Sequence, residues 1–238
     1  MLPVLYTVLL FLFPLPGGNE ASNLAARMET RYRNATTLQA TFLERYSENG
    51  AVLRTEAGTA YFRRPGKMRW EYDRPEKDLF LVDGKTAWFY VPADHTVTRV
   101  PAKQSEDLRT PLALLAGRMK ISRICLHVEL AERETPVREG DAVLRCVVRG
   151  QSKDAGNAVS ADNPFGNDAA DAIFFEVARD SGELARIIVR QAGGIQVEFR
   201  FENWRFDPPI AESMFRFEPP PGVAIVNGEL PGGKNQGN

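Results

Sequence analysis

The sequence predicts a mainly β protein with helices, built on one antiparallel sheet that curves strongly or nearly closes. Three observations carry that expectation. Strand-like segments follow one another at short spacing, separated by turn residues and not by helical crossovers. Two segments instead carry the apolar spacing of amphipathic helices. Several strands also hold large apolar residues on both faces, and a sheet of that kind must be covered on both sides.

In chain order, Leu2 to Leu15 form an apolar run that ends at Pro14 and Pro16 and is followed by small residues. The run is short for a membrane span and has the length of a secretory leader, although no Lys or Arg precedes it. Residues 1–21 are therefore read as an atypical signal peptide and 22–226 as a single domain. Within SNLAARMETRY, Leu24, Met28 and Tyr32 lie at helical spacing behind Ser22, a candidate N-cap. LQATFLERYSENGAVLRTEAGTAYFRR then reads as strands punctuated at Asn49-Gly50 and Gly58. MRWEY places Met68, Trp70 and Tyr72 on one face of a half-buried strand. In DLFLVDGKTAWFYVP, Asp83-Gly84 between two apolar strands suits a type I′ hairpin turn.

Strands follow at TVTRV, ISRICLHVEL, AVLRCVVRG, AIFFEVAR, ELARIIVRQ and GIQVEFRFENWRF, with turns at Glu139-Gly140, Ser181-Gly182 and Gly193-Gly194. RTPLALLAGRMK interrupts them with Leu112, Leu115, Ala116 and Met119 at helical spacing, Thr110 as N-cap and Pro111 at the first helical position. Residues 151–171 have little apolar content and no period, and read as a flexible insertion. Residues 227–238 read as a disordered tail.

Thirty basic and 31 acidic residues leave a net charge of -1. That balance argues against nucleic acid, whose phosphates demand a basic excess. His95 sits in a turn-like PADHT and His127 on a polar strand face, neither with a partner at metal-ligand spacing. No nucleophile elbow, Walker loop or dinucleotide fingerprint is present, so neither an enzyme nor a metal or cofactor is expected. For the cysteines, strand parity sets Cys125 opposite to Ile124, Leu126, Val128 and Leu130, while Cys146 shares a side with Leu144 and Val148. A disulfide would then need a bulge or a non-neighbouring strand.

The two-faced apolar pattern is plainest in AWFYV, where Trp88 and Tyr90 oppose Ala87 and Phe89. In VEFRFENWRF, Val197, Phe199 and Phe201 oppose Trp204 and Phe206 by the same count. One reading is an ordinary core under helical and loop cover. The other is a curved sheet around an apolar hollow that takes an acyl chain.

At four blocks the chain resembles a family. Arg64-Pro65 followed by Met68-Arg69-Trp70, then LVDGKTAWFYVP, TPLALLAG and FRFEPPPGV occur in the order seen in the LolA-type outer-membrane lipoprotein carriers. The resemblance runs from about Leu24 to Val223. It implies an incomplete, unclosed antiparallel β-barrel covering amphipathic lid helices, and a periplasmic chaperone without cofactor. Such a carrier, a monomer, takes acylated lipoproteins from an inner-membrane ABC transporter to an outer-membrane acceptor. It also implies roles for residues: Arg64 as lid latch, with Phe42, Phe62, Met68, Trp70, Tyr72, Trp88, Tyr90, Leu112 and Leu115 as lipid-contacting wall and lid. Glu44 departs from the family pattern, which commonly has Gln there, and the 151–171 insertion is longer than usual. Arg63, Lys67 and Arg69 read as outer-face cations for solubility or partner contact. The alternative is a periplasmic lipid-sensing regulatory module on a related fold, of the RseB type.

Overall fold

A computed structural model describes residues 17–102, 112–117, 120–148, 172–191 and 193–228. The leader up to Pro16, Thr110, Pro111 and Met119, the 151–171 insertion and the tail beyond Gly228 lie outside the described residues.

Helix α1 (Gly17–Asn34) opens the chain. It begins five residues before Ser22, which sits inside the helix and is not its cap. Ala21, Leu24, Ala25, Met28 and Tyr32 are buried along one stripe, at the i, i+3, i+4 spacing that a helix presents to one neighbour. Strands β1 (Thr37–Glu48), β2 (Ala51–Arg63), β3 (Lys67–Arg74), β4 (Leu79–Val82), β5 (Thr86–Val91) and β6 (Thr96–Pro101) follow as a meander. Two short helices, α2 (Leu112–Leu115) and α3 (Ile121–Ile124), precede β7 (Cys125–Leu130), β8 (Ala142–Val148), β9 (Ala172–Val177), β10 (Leu184–Gln191) and β11 (Ile195–Phe206). A short β12 (Ala224–Asn227) ends the described chain.

Among the described residues, twelve strands form one sheet in the order β12-β6-β5-β4-β3-β2-β1-β11-β10-β9-β8-β7. Neighbours pair antiparallel except β12, which lies parallel to β6 and was not anticipated. The sheet has two free ends, β12 and β7, so the barrel is unclosed as expected. Helix α1 lies inside its curve. Tyr32 Oη accepts the Leu184 N–H at 2.8 Å, and the Tyr32 ring meets Trp204 edge-on at 5.0 Å.

Three local expectations change. Asn49 and Gly50 both have positive φ, as a type I′ turn requires, but at Asp83-Gly84 only Gly84 does. There the Asp83 carboxylate makes the turn, accepting the N–H groups of Lys85 and Thr86 at 2.8 Å each. Gly58 is not a turn: it lies within β2 beside a register shift, where a Cβ would fall 1.9 Å from the Glu71 carbonyl oxygen. ISRI is a helical turn, and the strand begins only at Cys125.

Bulges resolve both parity arguments. On β7, Cys125 pairs with Val148 and His127 with Val147, so Leu126 is an extra residue, half exposed. The slip turns Cys125 to the same side as Cys146, and the two form a buried disulfide with Cα atoms 5.3 Å apart. On β11, three residues from Glu202 to Arg205 span two from Thr41 to Gln39, with Asn203 left-handed at φ 55. Trp204 and Phe206 therefore rejoin Phe199 and Phe201 on the inner core. The opposition expected within this strand is absent because one residue was looped out.

The outer face has two covers. Residues 208–217 run across β3, β4 and β5, with Phe215 buried and Phe217 against Trp88 and Tyr90 at 5.5 and 5.7 Å. Residues 131–141 run across β8, β9 and β10, where Val143, Ala172, Phe174 and Ile188 pack with Ala131.

Candidate functional site

The inner face of β1 to β5 is built in rows set by strand register. Nearest the β2–β3 turn lie Leu38, Phe62, Met68, Val82 and Ala87. Next come Ala60, Trp70, Phe80 and Phe89, and then Phe201, Phe42, Gly58 and Tyr72. The fourth row is Phe199, Glu44 and Glu56. Alternation within each strand puts these residues on one side, because side chains of an extended chain repeat every second residue.

Trp70 is the centre of an aromatic wall. Its ring lies 4.7 Å from Phe42, 5.7 Å from Phe62, 5.6 Å from Phe199 and 6.0 Å from Phe201, with mostly edge-on contacts. Phe42 also meets Tyr72 at 5.1 Å. Of the residues singled out from sequence, Phe42, Phe62, Met68, Trp70, Tyr72, Leu112 and Leu115 all fall in this one buried cluster.

Trp88 and Tyr90 do not. Register pairs Trp88 with Leu81 and Tyr90 with Val97, on the face opposite Phe80 and Phe89. Both are half-buried under Phe217, and Trp88 Nε1 donates to Asp83 Oδ2 at 3.3 Å. Their strand parity was legible in the sequence; which side faced inward was not. The inner residues that sequence reasoning left out as wall are Phe80, Phe199 and Phe201. They share the alternation of strands already recognised.

Arg64 sits at the end of the rows that meets α2. The Gly66 N–H donates to the Ala116 carbonyl at 2.8 Å, tying the β2–β3 turn to the end of α2. Gly117, with φ +73, lies so close to Arg64 that a Cβ there would be 2.8 Å from Nη1 and 3.0 Å from Cγ and Cδ. The Arg64 side chain thus lies against Gly117, just past the C-terminal end of α2. Burial, and secondarily the Arg33 guanidinium, pull the Arg64 pKa below the ordinary arginine range. Its Nε is buried without a hydrogen-bond partner. Glu29 of α1 anchors the next helix, accepting the Ile121 N–H of α3 at 3.2 Å.

The three neighbouring cations are not free for partners. Arg63 pairs with Glu212 at 2.7 Å and donates to the Ile210 carbonyl at 2.9 Å. Lys67 also pairs with Glu212, and Arg69 donates to the Met214 carbonyl at 3.1 Å. They hold the 208–217 cover in place. Among the described residues, no three His, Cys, Asp or Glu side chains gather where a metal ion could be held.

Against known proteins, residues 33–135 match the family described as outer membrane lipoprotein carrier protein LolA. An outer-membrane lipoprotein carrier protein of Nitrosomonas europaea is 27% identical over 233 residues, covering 95% of this chain and 99% of that protein. Over that region the chain is similar to the lipoprotein carriers of this family. A second relative, the outer-membrane lipoprotein carrier protein of Xanthomonas campestris pv. campestris strain B100, is 28% identical over 84% of this chain and 86% of its own. The crystal structure of a conserved protein from Thermus thermophilus shares the fold, with a TM-score of 0.52 over 87% of this chain and 98% of that one, at 14% identity. Residues 184–227 match a second family, described as a predicted periplasmic protein. The LolA match spans β1 to β7, and thus the aromatic rows of β1 to β5, Arg64 and the short helices α2 and α3.

Proposed function

We propose that this chain is a periplasmic carrier that shields the acyl chains of lipoproteins and moves them from the inner membrane toward the outer membrane. The observation that carries the reading is the aromatic wall around Trp70, closed at one end by α2 with Arg64 laid against Gly117. A wall of buried rings under a helix of one turn can exchange its own contacts for those of an acyl chain. Burying one CH₂ contributes about 0.8 kcal/mol, so a chain of around 16 carbons gains on the order of 10 kcal/mol. Closure of the lid over its own side chains offsets part of that gain and lets the cargo leave. The reading takes residues 1–21 as an export leader and an inner-membrane ABC transporter and an outer-membrane acceptor as partners. The relatives' names support the cargo class, and the reading requires no covalent step.

The test is native mass spectrometry of the protein purified from its own cell envelope, with extraction of whatever lipid or acylated peptide accompanies it. We expect an acylated species with the natural chain and its loss in Met68→Glu, which puts an unpaired charge on the wall. In Arg64→Leu the species should remain bound while hand-off to an acceptor slows. A folded natural protein that is empty and takes up no fluorescent fatty acid would overturn the carrier reading.

A further inference from the structure

The inner wall is not uniformly apolar. Two polar groups are buried in it with unused hydrogen-bonding capacity, one a donor and one an acceptor. Trp70 is 1% exposed, and its Nε1–H has no hydrogen-bond partner. Buried tryptophan N–H groups ordinarily find an acceptor, and leaving one orphaned is destabilising. Glu44 is 5% exposed in the fourth row, and among the described residues its carboxylate accepts one hydrogen bond, from Tyr72 Oη at 2.9 Å. A carboxylate offers about four lone-pair sites, so that single bond leaves most of them open. Directly across the sheet stands Glu56, itself paired with Arg54 at 2.9 Å. Like charges placed opposite one another on a strand pair are destabilising, and neither is removed here.

The spacing of the two groups has a chemical meaning. Trp70 lies in the second row and Glu44 in the fourth, so they are separated by about 13 Å along the strands. The first three rows, from Met68 to Tyr72, are hydrocarbon-lined, and the acids stand at the end away from the lid. An acyl chain lying along the rows would present an ester oxygen to the Trp70 N–H, and its head would reach the acid row. A head that carries an ammonium satisfies Glu44; one that is anionic is repelled.

Resting on the carrier reading above, we infer that the wall selects acyl esters whose head bears a free primary ammonium. Trp70 Nε1 donates to the ester carbonyl and Glu44 receives the ammonium. Glu44 is then the residue that sets cargo class, and its carboxylate has a use beyond its bond to Tyr72. Glutamine at this position keeps the shape and an oxygen for Tyr72 but loses the charge.

The experiment measures binding of two synthetic peptides by tryptophan fluorescence and calorimetry. One carries an S-diacylglyceryl cysteine with a free α-amine; the other is the same peptide N-acetylated. The full-length mature protein should prefer the free amine by roughly tenfold or more, the worth of one charge-assisted hydrogen bond. Glu44→Gln should reduce that ratio to near one while binding the acetylated peptide as before. A purely structural Glu44 would weaken both peptides equally and leave the ratio unchanged. Trp70→Phe should weaken the ester peptide by a larger factor than its ether-linked analogue, because both lose ring contacts but only the ester loses the N–H donor. If the natural protein binds both peptides alike, the ammonium assignment falls and the carrier reading stands. If it binds neither, both fall.

Discussion

The two covers on the outer face of the sheet meet the same requirement with opposite chemistry. Over β3 to β5, residues 208–217 lay Phe215 and Phe217 on the sheet and are fastened through the exposed Glu212 to the half-buried Arg63 and Lys67. Over β8 to β11, the fastening is buried. Glu176, with no side-chain exposure, accepts the N–H groups of Val137 and Arg138 at 2.7 and 2.9 Å and pairs with Arg186 at 2.7 Å. Arg186 in turn donates to the Thr135 carbonyl at 2.9 Å and reaches Glu198 at 3.7 Å. Exposed ion pairs are worth little and are screened by salt; a buried pair is costly to break because removing one partner leaves the other's charge uncompensated. The first half of the sheet is therefore held by separable contacts and the second by a set that must be broken as a unit. The separable half is the one whose inner face bears the aromatic rows and α2. On the proposed carrier function, a wall that deforms to admit cargo would be backed by the cover that can give way.

The largest expected effect breaks the buried side of this comparison. Arg186→Leu leaves the fully buried Glu176 without its cation, while Glu198 keeps Arg200 and Arg45, and unfolding in urea should show a loss of about 3–5 kcal/mol. A loss under about 1 kcal/mol, within the range of surface pairs, would mean the two covers do not differ in kind. Next in size, Phe215→Ala removes the buried anchor of the other cover and should lose about 3 kcal/mol. Because Phe217 follows two residues later, the emission of Trp88 should shift to longer wavelength as water reaches it. Unchanged Trp88 emission would show that the cover is held without Phe215.

Much of this arrangement was legible in the sequence, and the remainder was lost for identifiable reasons. The alternation in MRWEY placed Met68, Trp70 and Tyr72 together, and the spacing of Leu112 and Leu115 marked the short helix α2. Parity failed where a strand carries an extra residue. Asn203, a residue type that tolerates left-handed backbone, is a weak sign of one such site; Leu126 gives none. Gly58 was read as a turn because glycine also marks turns, whereas here it admits close approach of a neighbouring carbonyl. Parity also cannot say which face of a sheet turns inward, which is why Trp88 and Tyr90 were grouped with the wall. The covers themselves depend on pairings such as Arg69 with Met214, distant in the chain, that carry no local period.

The smallest effect sharpens the comparison at the exposed clasp. Hydrogen bonding to Lys67, and the nearby charge of Arg63, hold the Glu212 carboxyl below the usual glutamate range. A group whose folded pKa is depressed contributes its stability above its unfolded pKa and loses it as pH falls through the folded value. The clasp should therefore be fully present at neutral pH and released at pH values below about 4. Hydrogen exchange at the Met214 and Arg216 amides, which donate to Ala211 and Ser213, reads this directly as protection factors. Protection in the natural protein should fall across that acid window while the amides of β9 keep theirs. Glu212→Gln should begin at the lower protection and show no further step with pH. A Glu212→Gln profile that overlays the natural one would assign the cover to Phe215 and Phe217 alone, and the cations beneath it would then be dispensable.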